Sequence, residues 1–212
     1  MPLWVETASA RGLDAGPEII FKSASSLLLG MQVEVLRFYM RLLVFVDAMK
    51  TAHVIRDMLK SLNDGDQLRH GGNYEGSVDC YNKALKLAGF LPSETKFDRR
   101  DFEALCQSGL SASYGRLGNH SQSLSAATMA LLFFDECGTK YPAQAGRWLM
   151  AVVNQGTALA SLGALAAALE AFQRAKDMFT AKGIDTPENT QWIATVDENI
   201  ALLKAHLEKQ ER

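Results

Sequence analysis

The sequence predicts an all-α fold, a right-handed superhelical solenoid of antiparallel helix hairpins, and three observations carry that prediction. First, Gly72, Gly118 and Gly163 each sit in the same spaced frame of small and large residues. Second, 48% of the residues are hydrophobic, only 5 are proline, and the second half is rich in alanine and leucine, a composition suited to a continuous helical core. Third, the apolar residues between glycines and prolines recur at helical rather than strand spacing.

Seven residues before each framing glycine stands a tiny residue (Gly65, Ser111, Gly156), and four before it a bulky one (Leu68, Tyr114, Leu159). Five after comes another small residue (Ser77, Ser123, Ala168), and twelve after comes alanine (Ala84, Ala130, Ala175). A glycine inside a helix costs roughly 1 kcal/mol relative to alanine, so Gly65 and Gly156 need a compensating role. The expected role is a tight crossing of paired helices, with Gly65, Ser111 and Gly156 facing Ser77, Ser123 and Ala168. The framing glycines are expected to stop the first helix of each pair in the left-handed conformation. Tyr81 and Phe172, nine residues after their glycines, are expected to fill the space between layers.

Taken in order, residues 1–16 are short, polar and without periodicity, and read as disordered or loosely attached. Residues 17–57 form an apolar helical segment opened by Pro17; from Gln32 to Leu62 its hydrophobicity extends round more than one face. Packing against the first hairpin is the favoured expectation, with self-association through 32–62 as the alternative. Residues 58–182 hold three hairpins. Tyr74 opens the first return helix, Pro92 breaks the chain, and Ser93 or Thr95 is expected to cap the helix that follows. Gly138 ends the second return helix, Pro142 suits the first turn of the next, and Gly183 closes the third hairpin. Thr186, Pro187 and Glu188 start a final helix over 186–209, whose charged side makes it a polar cap for the array.

The stretches LNDGDQLRHGGNYEGSVDCYNKALKLAG, LSASYGRLGNHSQSLSAATMALLFF and VVNQGTALASLGALAAALEAFQRAKDMF resemble tetratricopeptide (TPR) repeats. The glycines are 46 and 45 residues apart, against about 34 in the ordinary repeat. That longer period is similar to the repeats of kinesin light chain, of G-protein-signalling modulators and of bacterial peptide-sensing regulators. It demands longer helices or longer connections.

Composition narrows the function. A net charge of −2 and the lack of any basic run give no draw toward nucleic acid or anionic lipid. The apolar Leu27–Met49 stretch carries Glu34, Arg37, Arg41 and Asp47, which excludes it as a membrane span. The N-terminus lacks the order of a secretion signal, and Cys80, Cys106 and Cys137 read as free thiols in a reducing compartment, so a cytoplasmic protein is expected. The 4 histidines show no zinc spacing, and phosphate-loop, dinucleotide and serine-nucleophile motifs are missing. No enzyme activity, cofactor or metal is expected.

What the resemblance implies is a groove lined by the first helix of each hairpin, holding a peptide segment of a partner protein. Asn63, Asp66, Arg69, Ser108, Arg116, Asn154 and Thr157 are the candidate contacts. Asn63 and Asn154 stand where the longer-period relatives carry a peptide-backbone clamp, a position taken by Gly109 in the second copy. Chaperone-binding repeats place a lysine and an asparagine where this chain has Leu62 and Asp66, so heat-shock-protein tails are not expected as guests. The expected function is an adaptor; its rivals are a peptide-gated regulator of an enzyme and a self-associating assembly or chaperone protein.

Overall fold

Periodic apolar residues punctuated by glycine give helices throughout. The computed structural model describes residues 17–137, 142–181 and 190–210, and these form seven helices with no strand among the described residues. They are α1 (Pro17–His70), α2 (Tyr74–Ala88), α3 (Arg99–Arg116), α4 (His120–Cys137), α5 (Pro142–Ser161), α6 (Leu165–Ala181) and α7 (Thr190–Gln210). The expected features at residues 1–16, at Gly138, at Gly183 and at Thr186–Glu188 lie outside the described residues. The chain divides into two units, Met1–Lys50 and Thr51–Arg212.

In the first unit, α1 is apolar around most of its circumference, and every residue from 32 to 50 is exposed. Leu36, Phe38 and Val44 are 66%, 64% and 67% exposed. Glu34 and Arg37 pair at 2.6 Å on the narrow polar strip. No described helix is long and apolar enough to cross a membrane.

In the second unit, α3 packs on α4, α5 on α6, and each hairpin on its neighbour; α3 also packs directly on α5, and α7 on α6. The remainder of α1 pairs with α2 through Met58, Ala84 and Ala88, all fully buried. The framing glycines do what the frame requires: Gly72, Gly118 and Gly163 have φ of 81°, 75° and 84°. Each stop is a Schellman motif. The N–H of Asn73, Asn119 and Ala164 donates to the carbonyl of Leu68, Tyr114 and Leu159, each at 2.9 Å, and the glycine N–H closes the inner bond. The bulky frame residue is therefore the one whose carbonyl anchors the stop.

The glycines inside the helices lie against rings of the return helices. A Cβ on Gly65 would lie 2.9 Å from the Tyr81 ring, and one on Gly156 would lie 3.1 Å from the ring of Phe172. Each glycine therefore makes room for an aromatic ring of the return helix. In the second copy the same places hold Ser111 and the buried Ala127, and Ser111 meets Ser123 as the frame expects. Gly109 completes the socket of Tyr81, since its Cβ would come within 2.7 Å of that ring.

Buried serines bond between the first two hairpins at Ser77 and Ser113, and within the second at Ser111 and Ser123. Ser77 and Ser113 hydroxyls meet at 2.6 Å, and Ser123 Oγ donates to the Ser111 carbonyl at 2.8 Å. The main core lies further on, around Phe134, Trp148, Val152 and Phe172, and α7 closes it with Val196, Ile200 and Leu203. Each large side chain buried there contributes about 1.5–3 kcal/mol. Both explanations of the long period hold: α3 and α5 run to 18 and 20 residues, and residues 89–98 separate α2 from α3. The cap of α3 is Asp98, not Ser93 or Thr95; its carboxylate accepts from the Asp101 N–H at 3.1 Å.

Gly109→Ala and Gly146→Ala should move stability in opposite directions. The first gains helix propensity but drives a methyl into a ring that cannot retreat, for a net loss of about 1–3 kcal/mol. The second points into open space at an exposed position of α5 and should gain about 0.5–1 kcal/mol. Urea denaturation of the two variants measures both.

Candidate functional site

The C-terminal halves of α1, α3 and α5 line one wall. There they border an open cleft of about 530 Å³. From α1 come Arg69 and His70, and from α3 Ala112 and Arg116. Asn154 and Thr157 of α5 continue the wall, and Trp192, Thr195 and Asn199 of α7 close the far side.

Four of the seven residues singled out in the sequence are brought together here: Arg69, Arg116, Asn154 and Thr157. Asn154 Nδ2 donates to Ser111 Oγ at 3.0 Å, which fixes the amide from behind. Thr157 is exposed and its hydroxyl back-bonds to the Val153 carbonyl at 3.0 Å. Arg116 is exposed, in the last turn of α3.

The other three are elsewhere. Asn63 is exposed and does not line the cleft. Ser108 is fully buried, and its hydroxyl donates to the Arg147 carbonyl at 2.8 Å, joining α3 to α5. Asp66 belongs to an internal network: Tyr81 Oη donates to its Oδ1 at 2.6 Å, Arg147 pairs with its Oδ2, and Arg69 stands 3.7 Å away. Arg69 also donates to Tyr81 Oη at 3.3 Å. Burial alone would lower the pKa of Arg147, but Asp66 outweighs it and the net shift is upward. Burial, then the bond to Asp66, push the Tyr81 phenol up to about 12.

Sequence reasoning missed the far wall. Trp192 and Asn199 lie on a helix read only as a polar cap, and a lone tryptophan, partly exposed, in that helix was the available signal. His120 lines the cleft, and its buried Nδ1 lacks a hydrogen-bond partner. Cys106 offers no nucleophile: burial pushes its thiol up to about 12, which keeps it protonated at neutral pH. Among the described residues no group of three or more His, Cys, Asp or Glu could hold a metal ion.

Hairpins of this build, stopped by the same motif and closed by a polar helix, define a TPR-like helical-repeat protein. A TPR-like protein of Chlorobium tepidum TLS has the same fold: it is 24% identical, covers 73% of this chain and 99% of its own, and superposes with a TM-score of 0.69. The TPR domain of Sgt2 from Aspergillus fumigatus is 17% identical over 73% of this chain and 82% of its own, with a TM-score of 0.51. Residues 50–192 match a family described as a domain of unknown function, DUF3856, and the chain belongs to that family. No curated protein sequence matches it.

The raised phenol of Tyr81 carries a sign. The folded state keeps the proton after the unfolded chain, titrating near 10, has lost it, so this contribution is complete below pH 10 and fades as pH rises toward 12. Stability should fall over that window, and Tyr81→Phe should flatten the fall while lowering stability at neutral pH. Denaturation of both proteins across the alkaline range tests it.

Proposed function

We propose that this protein is an interaction adaptor that holds an extended segment of a partner protein in the cleft shared by α1, α3, α5 and α7. The carrying observation is the row of hydrogen-bonding groups along it, with Asn154 held from behind by Ser111. With Nδ2 occupied, Oδ1 of Asn154 is left to accept a backbone N–H, and Thr157 offers a second contact one turn on. Such a row reads main chain, which is how extended guests are bound without a preformed sheet edge. Arg69 and Arg116 supply side-chain anchors. Asp66 and Ser108 support the wall from within, and Asn63 takes no part in this cleft. The adaptor has no catalytic task of its own and works in the cytoplasm; a peptide-gated regulator would use the same cleft.

A second reading concerns the first unit. Twelve large apolar side chains between Val33 and Met49 are exposed, far more than a monomer's surface ordinarily shows. Self-association through 32–62 would cover them.

Asn154→Ala combined with Thr157→Ala removes two contacts of about 1 kcal/mol each, a loss of roughly thirtyfold in affinity. Quantitative pull-down from native lysate should show the partners of the wild type depleted from the double variant, with circular dichroism unchanged; equal recovery would place binding elsewhere. For the second reading, sedimentation velocity should show a dimer or larger species that Val35→Asp or Leu42→Asp reduces to monomer. A monomeric wild type would refute it.

A further inference from the structure

We infer that the guest of the cleft is an acidic segment, with a glutamate or aspartate side chain gripped by Arg116 beside His120; this rests on the adaptor reading above. Arg69 and Arg116 are the charged residues lining the cleft, joined by His70 and His120, and no carboxylate among the described residues lines it. The nearest acid on this wall, Asp66, already has both oxygens engaged by Tyr81 and Arg147. It neither repels an incoming carboxylate nor competes for Arg116.

Arg116 differs from the arginines around it. Arg99 pairs with Glu103 at 2.7 Å, Arg100 with Glu136 at 2.6 Å, and Arg147 and Arg174 with Asp66 and Asp135. Arg116 has no ion pair or hydrogen bond among the described residues, although it stands on the same helix as Arg99 and Arg100. Across the tight turn at Gly118, His120 presents a buried Nδ1 that is likewise unmatched. A planar guanidinium with free donors, at a cleft lined by no carboxylate among the described residues, suits a two-oxygen acceptor. The guest's main chain then runs on toward Asn154 and Thr157. Complementary charge of this kind steers encounter and weakens with salt.

Panning a phage-displayed random peptide library on the whole protein tests the inference, with fluorescence anisotropy of the enriched peptides as readout. Enriched sequences should carry an excess of Asp and Glu, bind less tightly as salt is raised, and lose about tenfold or more in affinity to Arg116→Gln. Enriched peptides without an acidic excess, or indifferent to Arg116→Gln, overturn the charge assignment. If Asn154→Ala with Thr157→Ala still abolishes their binding, the adaptor reading survives that result. Peptides indifferent to all three substitutions, or no enrichment at all, overturn both.

Discussion

The fold depends on room for rings. Tyr81 lies between Gly65 of α1 and Gly109 of α3, both of which would collide with it if they carried a Cβ. That socket lets three helices from two hairpins close around one fully buried side chain. Its hydroxyl would be costly to bury unpaired, and Asp66 and Arg69 satisfy it. Asp66 in turn holds Arg147 on α5. One aromatic ring thereby couples α1, α2, α3 and α5, which are the helices that must keep register if a cleft is to run along them.

The buried serines extend the same principle. Hydroxyls let helix backbones approach closely while satisfying each other, and a short polar side chain costs little ordering entropy. The chain of bonds from Ser123 to the Ser111 carbonyl, and from Asn154 to the Ser111 hydroxyl, carries this order from the core to the cleft surface. An amide held in this way loses little further freedom when it meets a guest, and preorganisation of that kind is where affinity is gained for extended segments.

Much of the architecture was legible in the sequence because it is repeated. The left-handed conformation at Gly72, Gly118 and Gly163 follows from a frame that recurs three times, and no accident of composition would align four further positions with it. What the frame could not reveal was the partner of each small residue. Spacing places Gly65 and Tyr81 on facing helices but is silent on whether a glycine answers another small residue or a ring. The cleft was half legible for a related reason. Arg69, Arg116, Asn154 and Thr157 follow from the repeat register, whereas Asp66 and Ser108 hold register positions as favourable and are drawn inward by Arg147, a residue 81 positions from Asp66. Asn63 shares its register place with Asn154 but is exposed and lies outside the lining of the cleft. Trp192 lies outside the repeat altogether.

These two kinds of arginine explain how the molecule sorts its charge. Burying Arg147 is tolerable only because Asp66 stands against it; removal of either would leave a desolvated charge unpaired. The pair is consequently committed to structure, and its net charge toward the cleft is near zero. Arg116, two turns beyond the Gly109 socket and at the mouth of the helix stop, is under no such obligation. The α3 C-terminus favours a cation there through the helix dipole, so an unpaired guanidinium can be maintained at small cost. On the proposed reading, pairing the inner arginine and leaving the outer one open separates holding the wall together from meeting a partner.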